Sequence, residues 1–143
     1  MSTRRVFLTA LALAACAGCG SEPTSPTGGS SAGASAVVTL TGASFSGQVL
    51  AEGTLWMVEF FSPGCPYCQA MTTTVESLAV DFRGRASVGK VNVDVEARLA
   101  QAYQVAAVPT FIVFGNGREV SRHVGATSYE TLAELLRSAQ AAL

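Results

Sequence analysis

Cys65-Pro66-Tyr67-Cys68 is the stretch of this chain whose residue types and spacing are best suited to chemistry. Thiols three positions apart fall on one face of a helix, near enough for one to attack a disulfide formed at the other. What precedes them decides how reactive they are. Leu55 to Phe61 is a near-continuous apolar run of the length of a buried central strand, and Pro63 and Gly64 end it. Met71, Val75, Leu78 and Phe82 then recur at the spacing of one helix face, running to about Phe82. The pair therefore lies where a buried strand hands over to a helix. Unpaired backbone N–H groups and the positive end of the helix dipole favour a thiolate there, so the pKa of Cys65 should fall below the roughly 8.5 of a free thiol. Pro66 suits the first turn, where no N–H is required. Cys65 reads as nucleophile and Cys68 as resolving thiol. A purely structural bridge between them would close a very small loop and add little stability. Structural zinc needs about four ligands, and beyond Cys16 and Cys19 the chain offers Cys65, Cys68 and the lone His123, so no metal is expected.

The elements that must position this pair can be read from periodicity. Val37 to Thr41 is a short β-prone run, and Phe45, Val49 and Leu50 lie on one side of a short helix. After the helix that follows Cys65, Arg83-Gly84-Arg85 marks its close and Val88, Val91 and Val93 mark the next strand. Asp94 is expected to cap a helix carrying Val95, Leu99 and Tyr103 on a common side. Thr110 to Phe114 and Glu119 to Val124 form a hairpin around Gly115-Asn116-Gly117, which Gly125 breaks. Thr127, with Glu130 three residues on, has the spacing of a capping box for a last helix striped by Leu132, Leu135, Leu136 and Ala139. This order predicts an α/β fold, a central mixed sheet with helices on both faces. Trp56, Phe60 and Phe111 are core residues in that scheme, and His123 an ordinary surface residue.

The first residues read as an address. Arg4 and Arg5 precede an apolar run from Val6 to Ala15 and the small residues around Cys16, the layout of a secretory signal and too short for a membrane-spanning helix. Thr3-Arg4-Arg5-Val6-Phe7-Leu8 resembles a twin-arginine export signal, and Leu13-Ala14-Ala15-Cys16 resembles a bacterial lipobox, in which the cysteine carries the lipid. Cys19 fits a lipobox poorly, and the plainer alternative is an ordinary signal cut near Ala15. Residues 16–36 hold almost nothing to bury and read as a flexible tether, leaving 37–143 as the single folded domain. Cleavage before Cys16 removes Arg4 and Arg5 and leaves 7 basic against 10 acidic side chains, a net charge of −3. A nucleic-acid partner, which demands a basic face, is thereby disfavoured.

From about Thr39 onward the chain resembles thioredoxin. The residues that carry the likeness are Val58-Glu59-Phe60-Phe61-Ser62-Pro63-Gly64-Cys65, Lys90-Val91-Asn92-Val93-Asp94, Val108-Pro109-Thr110, Phe114-Gly115-Asn116-Gly117 and Val124-Gly125-Ala126, in that order. The resemblance implies a thioredoxin fold and a thiol–disulfide oxidoreductase without cofactor, acting as a monomer on protein thiols and disulfides. It implies a cis peptide before Pro109, with the Val108 backbone opposite Cys65 as an edge for an extended substrate. Substrate contact is thereby assigned to Pro66, Tyr67, Val108, Pro109 and Gly125. Glu59 stands where the family usually has a buried aspartate, and Lys90 matches the lysine that approaches it. A carboxyl group in an apolar strand should have a raised pKa and could take the proton of Cys68 through a water; the alternative is an acid that only neutralises Lys90. Phe61, Gly64 and Thr73 depart from the family's two tryptophans and kinking proline, and Pro66-Tyr67 is a glutaredoxin-like dipeptide, so the family's redox potential does not carry over. Combined with the leader, these expectations describe a lipid-anchored enzyme on the outer side of the bacterial cell membrane or in its envelope. It would serve exported proteins and exchange electrons with a membrane thiol–disulfide carrier. A second reading is an anchored, non-catalytic module that binds unfolded chains or a metal-site assembly partner.

Overall fold

The structure is a computed structural model that describes residues 35–143. The signal-like leader, Cys16, Cys19 and the tether up to residue 34 lie outside the described residues. In chain order the elements are β1 (Val38–Thr39), α1 (Gly42–Gln48), β2 (Leu55–Phe61), α2 (Pro66–Asp81), β3 (Ser87–Asn92), α3 (Ala97–Ala102), β4 (Thr110–Gly115), β5 (Arg118–Val124) and α4 (Tyr129–Ala141). They build one five-stranded sheet in the order β1-β3-β2-β4-β5. β3 runs parallel to both β1 and β2, while β4 is antiparallel to β2 and to β5, giving the mixed sheet that the pattern of elements predicts. Among the described residues no helix is long and apolar enough to cross a membrane.

β2 is central because both of its faces are covered. Successive side chains of a strand point to opposite faces, and the two halves of the core follow that rule. Met57, Phe111 and Val113 pack under Met71, Val75 and Leu78 of α2 and Leu132 and Leu136 of α4. Trp56, Val58, Phe60, Ile112 and Phe114 pack on the other side with Phe45 of α1 and Ala100 of α3. Tyr103 closes that second layer, its ring 5.2 Å from those of Phe45 and Phe114. The Tyr129 hydroxyl donates to Asp81 Oδ2 at 2.7 Å and ties α4 to the end of α2. The same alternation turns Glu59, two residues after Met57, toward α2. This consequence of strand geometry brings a carboxyl group under the dithiol.

Three element starts differ from the sequence expectation, each for a hydrogen-bonding reason. Thr41 does not continue β1; its hydroxyl accepts from the Ser44 N–H while the Ser44 hydroxyl accepts from the Thr41 N–H, a reciprocal box that starts α1. Asp94 does not cap α3, because its carboxylate accepts from the Ser62 hydroxyl at 2.7 Å. The helix begins later, after Glu96, whose own carboxylate accepts from the Gly42 N–H at 3.0 Å, and Val95 is left 74% exposed rather than on a buried stripe. The cap of α4 is Ser128, which accepts from the Thr131 N–H, in place of Thr127 with Glu130. Glu130 still lies in the first turn, where its charge favours the dipole. Ala36, assigned by composition to the tether, packs against the α2/α4 side of the core.

The hairpin turn holds Gly117 at φ +75°, and a Cβ there would lie 2.5 Å from the Leu50 carbonyl oxygen. Gly53 has a similar φ of +73° but open space around it. Gly53→Ala should therefore cost only the left-handed backbone penalty of about 1–2 kcal/mol. Gly117→Ala should cost roughly 2 kcal/mol more, because a backbone oxygen cannot rotate aside. Urea unfolding of the two variants measures the difference, and equal losses would remove the Leu50 contact from the account.

Candidate active site

The β2–α2 connection is held from several sides before any chemistry is considered. The Cys65 N–H donates to the Ser62 carbonyl at 3.1 Å, the Gln69 amide side chain donates to the Pro63 carbonyl at 2.8 Å, and Ser62 is bound to Asp94. Cys65 is the N-cap of α2, with extended backbone at φ −88° and ψ 117°, and Pro66 occupies the first helical position. No side chain caps this end of the helix, so the sulfur of Cys65 meets N–H groups that would otherwise seek a capping oxygen. The Cys68 N–H has the largest effect, followed by the Cys68 thiol and the Tyr67 N–H; together they hold Cys65 below the ordinary thiol value of 9.0 against partial desolvation and the charge of Glu59. Cys68 is 4% exposed, and burial pushes its thiol up to about 11. Both are free thiols. The asymmetry suits Cys65 to attack first and leaves Cys68 in need of help to lose its proton.

The loop before β4 faces this pair. The Val108–Pro109 peptide is cis, as the sequence resemblance implies. The Val108 carbonyl accepts from Cys65 Sγ at 3.7 Å, and the Pro109 carbonyl accepts from the Gly125 N–H at 2.8 Å. Cys65, Val108, Pro109 and Gly125 are thus brought together at one end of the sheet. Pro66 and Tyr67 flank them on the exposed start of α2, with Tyr67 68% exposed.

Glu59 lies beneath. It is 4% exposed, its Oε1 has no hydrogen-bond partner, and burial raises its carboxyl from 4.5 to about 7 despite the opposing charge of Lys90. A cavity of about 90 Å³ separates it from α2, lined by Cys68 and Glu59 together with Phe61, Thr72, Val75 and Lys90 among others. That space is roomy enough for several waters, so a relay between Cys68 and Glu59 has both a polar terminus and a path. Lys90 is the cross-strand register partner of Glu59, yet no ion pair joins them among the described residues. Its ammonium instead sits 5.4 Å from the centre of the Phe61 ring. Sequence reasoning missed this contact and the Ser62–Asp94 and Gln69–Pro63 ties; each pairs residues whose partner depends on loop geometry rather than on period. His123, on β5, is half-buried beside its register partner Phe111. No group of three or more possible metal-ligating side chains occurs among the described residues.

A dithiol at the mouth of a helix, faced by a cis-proline loop and set on a mixed sheet with helices on both sides, defines a thioredoxin-fold protein equipped for thiol–disulfide exchange. Comparison with known proteins agrees. The family model described as thioredoxin matches residues 36–138. Thioredoxins from Staphylococcus aureus strains Mu50 / ATCC 700699, MW2 and N315 are each 37% identical over 101 residues, covering 71% of this chain and 95% of theirs. The chain belongs to the thioredoxin family.

Two measurements test the electrostatics. Iodoacetamide labelling of the reduced protein across pH, mapped by mass spectrometry, should give a Cys65 adduct with an inflection below pH 9 while Cys68 stays unmodified in that range. Equal labelling of both sulfurs would contradict the asymmetry. Because Glu59 binds its proton more tightly folded than unfolded, it stabilises the fold fully below about pH 4.5, and that stabilisation is lost as pH rises through about 7. At about 1.4 kcal/mol per pKa unit the change is on the order of 3 kcal/mol. Urea unfolding of wild type and Glu59→Gln should therefore diverge across that window, with wild type losing stability relative to the variant; parallel curves would mean the carboxyl is not perturbed.

Proposed function

We propose that this protein is a thiol–disulfide oxidoreductase that acts on exported or envelope proteins, anchored by a lipid on Cys16. The observation that carries the catalytic part is the pairing of a half-exposed Cys65 at the N-cap of α2 with a buried Cys68 beneath it. In the reducing direction the Cys65 thiolate attacks one sulfur of a substrate disulfide, forming a mixed disulfide and releasing the other sulfur as a thiolate. Cys68 then gives its proton through cavity water to the carboxylate of Glu59 and attacks Cys65 Sγ. The Cys65–Cys68 bond forms, the bond from Cys65 to the substrate breaks, and the substrate has gained two electrons. Run in reverse, the same steps oxidise a substrate dithiol. A base half-ionised near pH 7 is matched to a proton transfer at that pH.

Substrate lies along the backbone of Val108, whose carbonyl has no partner but the Cys65 thiol among the described residues, with Tyr67 and Pro66 on one side and Gly125 on the other. An extended chain adds there by main-chain hydrogen bonds, which suits a protein substrate of varied sequence. Export and anchoring rest on Arg4-Arg5, the apolar run to Ala15, the Leu13-Ala14-Ala15-Cys16 segment and the small-residue composition that follows, in which Glu22 is the one charge before Val37. Turnover outside the cytoplasm takes electrons from, or passes them to, a membrane thiol–disulfide carrier, since no soluble reducing pool is at hand there.

In cells, Cys68→Ala should accumulate mixed disulfides with exported proteins through Cys65, and adding Cys65→Ser should abolish them. Absence of trapped partners in the first variant would remove the catalytic reading. Cys16→Ala should lose lipid labelling and membrane association, whereas label retained on that variant would move the anchor to Cys19.

A further inference from the structure

The Phe61 ring lies on the same face of β2 as Glu59, and the half-exposed Lys90 of β3 lies diagonally across from it. A diagonal pair of this kind is within reach of a long side chain. Lys90 has two places to put its ammonium: against the buried carboxyl of its register partner, or over the ring two residues further along β2. It takes the second, 5.4 Å from the ring centre, within the range of a cation–π contact. There the charge keeps contact with water, while Glu59 Oε1 is left without a partner and the space between becomes part of the cavity shared with Cys68.

We propose that Phe61 is a positioning residue: its ring parks the Lys90 ammonium away from Glu59, so that the carboxyl stays free to exchange a proton with Cys68 instead of being locked in an ion pair. The contact between Phe61 and Lys90 stands by itself; its catalytic consequence rests on the reading of Glu59 as proton acceptor. The other groups that face Glu59 are few. α2 contributes Cys68, the apolar Val75 and, at the rim of the cavity, Glu76; the loop before α2 contributes Cys65; β4 contributes the apolar Phe111 as its register partner; Val37 on the β1 side carries no charge. Lys90 is thus the one cation near this carboxyl among the described residues, and its placement controls how readily the acid ionises.

The test is a carbon-detected NMR titration of the Glu59 carboxyl in the reduced protein. Wild type should titrate near 7. Phe61→Leu, which keeps an apolar side chain but removes the ring, should lower that midpoint by about one unit or more as Lys90 turns inward. Phe61→Tyr, which keeps the ring, should leave it in place, and Phe61→Leu combined with Lys90→Met should restore a value at or above wild type. A Phe61→Leu midpoint equal to wild type, or a lowering that persists without Lys90, overturns the proposal. The rate at which Cys68 resolves a preformed mixed disulfide on Cys65, followed against pH, separates the two readings. If its inflection follows the shifted carboxyl, both stand; if the carboxyl shifts and the inflection does not, Glu59 is not the proton acceptor although Phe61 still positions Lys90.

Discussion

A sulfur anion at the first turn of α2 is the constraint to which the surrounding structure answers. Backbone N–H groups at a helix start have no helical acceptor, and no side chain caps them here, so they turn toward Cys65. The benefit exists only if the turn before the helix holds its shape. Ser62, Pro63 and Gln69 supply that rigidity through hydrogen bonds to one another, to Asp94 and to Cys65 itself. The cis-proline loop supplies the opposite wall. Reactivity of one atom thus depends on residues drawn from the β2–α2 connection, α2, the β3–α3 connection and the loop before β4.

The second sulfur is treated in the opposite way. Cys68 is sealed against the core, which disfavours its thiolate, and Glu59 is sealed with it, which disfavours the carboxylate. The carboxyl would not be placed there for stability, since burying it unpaired costs free energy whenever it must ionise. Burial raises both groups, so the lifted carboxyl is a closer match to the lifted thiol than an ordinary solvated carboxylate would be. Lys90, close enough to be felt but turned over an aromatic ring, tempers this balance without cancelling it.

Much of this was legible in the sequence because it is periodic or local. The apolar run of β2, the stripe of α2 and the turn residues between them put the thiols at a helix start, while the place of Glu59 beside Cys68 followed from the family resemblance. The helix starts at Ala97 and Tyr129 were less legible, because candidate caps lie within two residues of each other in both cases; a tertiary bond decides at α3 and the local bond from the Thr131 N–H to Ser128 at α4. Asp94 is a good cap by type, but the hydroxyl that claims it comes from Ser62, far away in the chain. The position of the Lys90 ammonium was hidden for the same reason: the family resemblance pairs Lys90 with Glu59, and only three-dimensional packing reveals that an aromatic ring competes for it. Residues 1–34 carry their message in composition and short motifs, and no packing enters that reading.

β1 has consequences beyond its size. It contributes two residues, paired to β3 at Val38 and Thr39, and it begins directly after Val37, which lines the cavity behind the dithiol. Tension arriving along the chain ahead of Ser35 would meet this shortest of the strands at the margin of the sheet, where few bonds resist peeling, whereas β2 is clamped between two neighbours. β1 is therefore the part of the sheet held by the fewest ladder bonds, and its release would open the cavity from the side that Val37 covers.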